Sequence, residues 1–517
     1  MKRLIGVGVG PGDPELVTVK AVRVLREADV VLVPVLAGAG SESPGPGRAE
    51  TIIRAYVGAD RIRRLEFALN DTGGVTPRRA AAWQAAAAAV AQEFAAGAAS
   101  VAFGTLGDPN LYSTFSYLAQ AVAEIVPEVT VETVAGITAM QDLASRAGIS
   151  LAEGSEPVTL VPLNGGVAAL DQALARGGTV VGYKVGAAAS PAPAVLAGRL
   201  QAAGRLDAAV IGARLGLEGE LIAPAAELLR PPPPSAPVTP TAPVTPTAPA
   251  VPPAPAPKFN ECDSLPDRGG RESLSTESPA PTKANISDIP YLSTLIVPAL
   301  RAAGVGSGLA ARLSEMQAPA DTEVTPNPPA RPNSNHDDVA SPWSGPPRCH
   351  IAVVATPAEV PASREETTPA EVPASPEETT PARDGSHPKG RSQPKGRVVF
   401  VGAGPGAPDL LTQRGARAIA IADVVIWASS LVDQRILAHA DEHAEIVDSA
   451  QLPMEGVLPY YERAAREQLT VARVHSGDPS LWGAVQEQLE QCAELGLGTE
   501  IVPGVSSFTA VAAAIQR

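Results

Sequence analysis

The sequence predicts an α/β protein built on parallel sheet, folded at both ends and interrupted by a long proline-rich middle. Three observations carry this. Short apolar runs rich in Val and Gly each end in a glycine turn and lead into an amphipathic stretch, the pattern of strands feeding helices. Three such strand–turn motifs recur in the same order near both ends of the chain. Finally, 34 of the 53 Pro residues fall in 231–396, making that segment about 20% Pro where ~5% is usual. At roughly 150 residues per domain a chain of 517 residues suggests three domains, but a segment this rich in Pro cannot bury a core. The expectation is two folded regions, 1–230 and 397–517.

The elements follow in order. Residues 3–10 read as a buried strand that ends in Gly-Pro-Gly-Asp. Asp13 followed by Pro14 is a helix-start signal, so a helix is expected over 14–28, with the next strand at 30–35. Thr76-Pro77 caps a long Ala-rich helix ended by Gly97. Strands are expected at 101–103, running into Gly-Thr-Leu-Gly-Asp-Pro, and at 129–134, running into Ala-Gly-Ile-Thr and a helix. Three more are expected at 158–162, 179–183 and 208–211. The apolar run IPYLSTLIVP at 289–298 has no use in a solvated linker. It reads as a strand that completes the first domain, separated from it by a Pro-rich insertion over 231–288. The segment 299–396, with TPAEVPAS repeated at 356–363 and 368–375, reads as a disordered Pro/Glu/Thr-rich linker.

The internal repeat is the most informative feature. GVGPGDPEL (8–16) matches GAGPGAPDL (402–410), and at the same offset Thr18 matches Thr412 and Ala28-Asp29-Val30-Val31 matches Ala422-Asp423-Val424-Val425. Gly107-Asp108-Pro109 matches Gly477-Asp478-Pro479, and Gly136-Ile137-Thr138 matches Gly504-Val505-Ser506. Three motifs in one order define a duplicated unit.

Charge and cysteine content narrow the function. Residues 1–230 hold 19 Lys and Arg against 22 Asp and Glu, and 397–517 hold 8 against 15, so neither region offers the basic face that nucleic acid needs. The three Cys are far apart and no CxxC occurs, which argues against a disulfide framework or a structural zinc. The start MKRLIGVGVGPGDPE imitates a signal peptide, but its apolar run stops at Pro11-Gly12-Asp13, too early for one. No apolar run is long enough to span a membrane. A cytoplasmic protein without nucleic-acid or membrane partners is expected.

Each motif lies where a strand ends, and open α/β sheets bind ligands beyond the carboxyl ends of their strands. GVGPGD is neither the dinucleotide fingerprint nor a phosphate loop, since Pro11 and Asp13 interrupt GxGxxG and no Lys-Ser/Thr follows. The ordered set, given twice, resembles the tetrapyrrole (corrin/porphyrin) methyltransferase family. GVGPGDPELVTVKAVRVL, FGTLGDPNLYSTFSYL, VETVAGITAMQDLA and PYLSTLIVP resemble the precorrin-2 C(20)-methyltransferases. VFVGAGPGAPDLLTQRG, VHSGDPSLWGAVQEQ and VPGVSSFTAVAAA resemble the precorrin-4 C(11)-methyltransferases, of which 397–517 would hold only the N-terminal subdomain.

The resemblance implies the tetrapyrrole methylase (class III methyltransferase) fold, two α/β subdomains with S-adenosyl-L-methionine in the cleft between them, plus a second, incomplete copy. It implies cofactor contacts at Pro11, Leu106, Gly107, Asp108, Leu111, Thr138, Ala139 and Lys184. The matching set in the second copy is Pro405, Ser476, Gly477, Asp478, Leu481, Ser506 and Ser507. It also implies a homodimer, and methylation of precorrin-2, or of its cobalt form, at carbon 20. Asp13 is on the loop where a general base could act, although a helix cap is an equal reading. Arg48, Arg54, Arg78 and Arg79, with Arg61, Arg63 and Arg64, are candidates for pairing with the macrocycle's carboxylates. Two alternatives stay open: the same fold acting on an RNA ribose or a protein His, and a second copy that serves as a non-catalytic docking or dimerisation module. Because few residues follow its third motif, the second copy is expected to lack the wall opposite its glycine turns.

Overall fold

Within Lys2–Gly8 (β1), residues 4–8 are uncharged and buried because both faces are covered, as in a parallel sheet between two helix layers. In this computed structural model, which describes residues 1–36, 45–69, 71, 75–229, 293–300 and 396–515, β1 is joined in one parallel sheet by β2 (Val30–Leu36), β3 (Ile62–Phe67), β4 (Ser100–Thr105) and β5 (Val129–Val134), in the order β3-β2-β4-β1-β5. Ile5 and Val7 pack on one side with α1 (Val19–Glu27) and α2 (Arg48–Ile53). Leu4 packs on the other with Phe103, α3 (Pro77–Ala95) and α4 (Phe115–Ile125). The expected insertion at 231–288 and nearly all of the linker at 299–396 lie outside the described residues.

The expected helix over 14–28 is broken. Pro14–Leu16 forms a single 3₁₀ turn capped by Asp13, which accepts from the Glu15 amide at 2.8 Å. Val17 and Thr18 are extended, and α1 starts anew with Thr18 accepting from the Ala21 amide at 3.1 Å. The extended pair is used by a partner strand: the Val19 amide donates to the Leu411 carbonyl at 2.9 Å and the Gln413 amide to the Val17 carbonyl at 2.9 Å. Long-range pairing overrides local helix continuation here.

After α5 (Ala139–Ala147) the chain builds a second sheet from β6 (Val158–Pro162), β7 (Thr179–Tyr183), β8 (Val210–Ala213), β9 (Leu221–Pro224) and β10 (Ser293–Val297). Helices α6 (Ala168–Arg176) and α7 (Pro193–Ala202) intervene. The strand order is β6-β7-β10-β8-β9. The run at 289–298 therefore contributes an interior strand, antiparallel to both β7 and β8, with Leu295, Ile296 and Val297 fully buried. The strand expected at 208–211 is shifted to 210–213.

The second copy rebuilds the first sheet. β11 (Arg397–Gly402), β12 (Val424–Trp427), β13 (Glu445–Asp448), β14 (Thr470–His475) and β15 (Gly498–Val502) are all parallel in the order β13-β12-β14-β11-β15, with α8 (Gln413–Ala420), α9 (Met454–Glu467), α10 (Val485–Glu494) and α11 (Ser507–Ile515). The order is that of the first sheet, strand for strand.

Because β10 fills the middle of its sheet, Ile296→Ala removes fully buried carbons where no neighbour can be replaced by water. The expected cost is about 2–5 kcal/mol, read as a fall in the urea midpoint of the full chain. Leu300→Ala, at a residue 74% exposed, is expected to change stability by no more than about 0.5 kcal/mol.

Candidate functional site

β4, β1 and β5 are neighbours, so the three motif turns that leave them meet at one edge. They meet at glycines. A Cβ on Gly8 would lie 2.7 Å from both the Gly107 carbonyl and the Gly136 amide nitrogen, and one on Gly136 would lie 2.3 Å from the Gly107 carbonyl. The backbones bond directly: the Gly107 amide donates to the Gly10 carbonyl at 2.8 Å. Asp108 is a strut between the second and third motifs and not a helix cap. Its Oδ1 accepts from the Asn110 amide at 2.8 Å and its Oδ2 from the Gly136 amide at 3.0 Å. Burial pushes its pKa up to about 6 against the pull of those donors.

The second copy repeats the device. Asp478 accepts from the Ser480 amide at 2.9 Å and the Gly504 amide at 3.0 Å, and burial again pushes its pKa up to about 6. Gly107 and Gly477 both sit at φ 68°, in the left-handed region that favours glycine. A Cβ on Gly107 would come only within 4.0 Å of the Ile137 carbonyl, and one on Gly477 would meet nothing within 4 Å. These two backbones border open space.

In the first copy the second sheet supplies the wall opposite. Leu215 and Gly216, beyond β8, press on the first motif: a Cβ on Gly12 would be 1.9 Å from the Leu215 carbonyl. Tyr183 stacks at a tilt on Tyr112, ring centroids 5.5 Å apart, and the Lys184 ammonium lies 5.5 Å from the Tyr112 ring centre. Burial, then the charge of Arg79, lowers the Lys184 pKa. The Tyr183 hydroxyl is buried beside Thr138 and the Met140 backbone, and burial holds it far above the ordinary phenol range. Arg146 ties the walls together: its guanidinium bridges Asp142 at 2.7 Å and Glu220 at 3.0 Å, and lies 3.6 Å from Asp13.

The sequence-expected residues distribute as follows. Pro11, Leu106, Gly107, Leu111, Ala139 and Lys184 are half-buried along the cleft edge, whereas Asp108 and Thr138 are buried beneath it. Asp13 caps its turn and is ion-paired to Arg414. In the second copy Pro405 and Gly477 are half-buried, Ser476 and Ser507 are exposed, and Ser506 is buried. Leu481 is packed into the apolar cluster of the first copy's α5 and second sheet, with the Leu151 amide donating to the Ser480 carbonyl at 2.7 Å and the Trp482 amide to the Ala152 carbonyl at 2.8 Å.

The arginines divide. Arg54 and Arg64 are ion-paired to Glu50 at 2.6 and 2.7 Å, and Arg61 and Arg63 donate to backbone carbonyls. Arg79 stacks over Trp83, its guanidinium carbon 5.1 Å from the ring centre, and Arg78 is exposed. Arg48 is half-buried, its pKa lowered by burial and by the charge of Arg214. Tyr112, Tyr183, Arg146 and Arg214 were not legible as site residues. Three of the cleft residues, Tyr112, Lys184 and Arg214, have positive φ, a property of the folded backbone that their side chains do not advertise.

An α/β cleft with three glycine turns on one wall and a second sheet on the other defines a class of ligand-binding α/β protein. Residues 3–228 and 397–517 match the family of Tetrapyrrole (Corrin/Porphyrin) Methylases, and the chain belongs to that family. The chain is 37% identical over 214 residues to a precorrin-2 C(20)-methyltransferase of Sinorhizobium sp, covering 40% of this chain and 82% of the relative. It is 42% identical over 120 residues to a cobalt-precorrin-4 C(11)-methyltransferase of Methanocaldococcus jannaschii, covering 23% of this chain and 46% of the relative. The solved structure of a cobalt precorrin-4 methyltransferase is 41% identical, with 23% of this chain and 50% of that one covered and a TM-score of 0.23. The chain spans about half the length of the precorrin-4 relatives that it matches.

The Asp108 strut has a pH signature. Its folded pKa of about 6 lies above the ordinary 3.8, so its contribution is complete below pH 3.8 and is lost as pH rises through 6. Asp108→Asn sets an amide where two backbone donors point and should cost about 1–3 kcal/mol. The gap in melting temperature between the two proteins should be wider at pH 4 than at pH 7; a gap that widens with rising pH would contradict the assignment.

Proposed function

We propose that the first copy, 1–229 completed by β10, is an S-adenosyl-L-methionine-dependent methyltransferase that methylates precorrin-2 at carbon 20. The observation that carries the reading is the meeting of the Gly8, Gly107 and Gly136 turns at one sheet edge, faced by a second sheet that brings Tyr183 and Lys184 over them. The similarity to a precorrin-2 C(20)-methyltransferase across most of that relative's length supports the choice of carbon.

The residues fit the cofactor. Pro11, Leu106, Gly107 and Leu111 are half-buried at the cleft edge, and Gly107 leaves open the space that a Cβ would fill. The Tyr183 hydroxyl is buried beside Thr138 and the Met140 backbone, at the start of the helix that follows the third turn. When bound, the cofactor supplies an electrophilic methyl on a sulfonium. The chain's own task is then alignment and exclusion of water, which together lower the barrier without a covalent intermediate on the protein. The Tyr112 and Tyr183 rings, 5.5 Å apart, give the cleft an aromatic wall that helps to exclude water. For a macrocycle with many carboxylates, Lys184 and Arg214 on the second wall, with Arg48 beside Arg214, are the candidate cations, whereas Arg54 is ion-paired to Glu50. Asp13 is engaged by Arg414 and Arg146, so its principal role is to fix the first turn.

Incubation of the full chain with precorrin-2 and labelled cofactor should give a product one methyl heavier, with the label at carbon 20 by NMR. Label elsewhere, or transfer only to the cobalt form, would replace the substrate assignment. Gly107→Val forces a β-branched residue into a left-handed backbone, a strain of about 1–3 kcal/mol, and directs it into the cleft. It should weaken cofactor binding by tenfold or more in calorimetry; unchanged affinity would move the cofactor elsewhere. Asp13→Asn keeps the cap and should leave turnover within a fewfold of the parent. A fall of 100-fold at unchanged affinity would make Asp13 the base.

A further inference from the structure

The two copies touch through a surface that pairs with its own counterpart. Residue i of the first motif corresponds to residue i+394 of the second copy, and the contacts between the copies come in pairs under that exchange. The Val19 amide donates to the Leu411 carbonyl at 2.9 Å, and the equivalent Gln413 amide donates to the Val17 carbonyl at 2.9 Å. Thr18 faces its own equivalent, Thr412, in an antiparallel bridge, and both are fully buried. Arg23 pairs with Asp409 at 2.7 Å, and the equivalent Arg417 pairs with Glu15. Leu16 and its equivalent Leu410 share one apolar cluster with Ile137 and its equivalent Val505. An interface in which residue i meets j′ and j meets i′ is isologous, the signature of a two-fold dimer.

Other contacts break the exchange, the Leu151–Ser480 and Trp482–Ala152 backbone bonds among them, and they strengthen this particular pairing. Arg414 reaches Asp13, while its counterpart Lys20 would face Ala407. The Gln141 amide group donates to the Gly504 carbonyl at 2.6 Å, Ser506 Oγ at 3.0 Å and Asp478 Oδ2 at 3.1 Å, while its counterpart is the short Thr509. A pair of second copies would lose all of these. A pair of first copies would keep equivalents of most, so the occupant of this face is decided by tethering. A partner on the same chain binds in an intramolecular step, whereas a free second chain must compete from solution.

We propose that the second copy is the chain's built-in dimer partner: it fills, from within one polypeptide, the face through which two first copies would otherwise pair, so that the protein is an internal pseudo-dimer and does not associate with a second chain through this face. The proposal is independent of which carbon is methylated. The test uses the full chain with Cys262 and Cys349 replaced by Ser, Cys492 being buried. Under oxidation Thr18→Cys/Thr412→Cys should form a disulfide within one chain, seen as a monomer of altered mobility on a non-reducing gel. Thr18→Cys alone should yield no covalent dimer. A covalent dimer from the single variant, or an interchain disulfide from the double one, would overturn the proposal. Sedimentation of the unmodified chain gives a check that no substitution can confound: a mass near 52.7 kDa supports it, and twice that mass, lost on Arg23→Glu/Arg417→Glu, overturns it.

Discussion

Everything at the candidate site depends on three strand ends approaching closer than any side chain allows. Gly8, Gly107 and Gly136 pack backbone on backbone, and Asp108 locks the second turn to the third through the Gly136 amide. A carboxyl group is well suited to this, since its two oxygens can accept from two backbone amides at once. The cost is desolvation, recorded in the raised pKa of Asp108. The second copy has the same glycines, the same carboxylate and the same cost. The glycine turns are thus packing devices first; the cleft is what their packing leaves open.

That junction also explains why the copies associate where they do. The first turn, rigidly placed by Gly8 and Gly10, leads into a 3₁₀ turn and then an extended Val17-Thr18 pair. A continuous helix there would have left no backbone free to pair. Because both copies break in the same way, each presents two residues of strand, and the two short strands find one another. Asp13 lies between these roles, capping the turn on one side and meeting Arg414 on the other. The Arg146 network carries the same turn to Asp142 and Glu220, so the first glycine turn, the interface and the second sheet are mechanically joined.

The sequence by itself determined the alternation of strand and helix, the duplication and the three motifs, because each leaves a local signature: apolar runs closed by glycine, Thr or Asp before a helix, and a repeated order. It also marked 289–298 as structural, since consecutive Leu, Ile and Val have no place in solvated chain. What it could not determine was position. That β10 lies inside the second sheet and not at its rim is settled by hydrogen bonds to β7 and β8, partners distant in the chain. Which arginines are spent on Glu50 and on backbone carbonyls depends on packing around β3. The break at Val17, read from Asp13-Pro14 as a continuous helix start, was decided by pairing with residues 411–413. Local propensity is worth tenths of a kcal/mol per residue, and a buried cross-strand pairing with its salt bridges outweighs it; only the tertiary structure brings that partner into place.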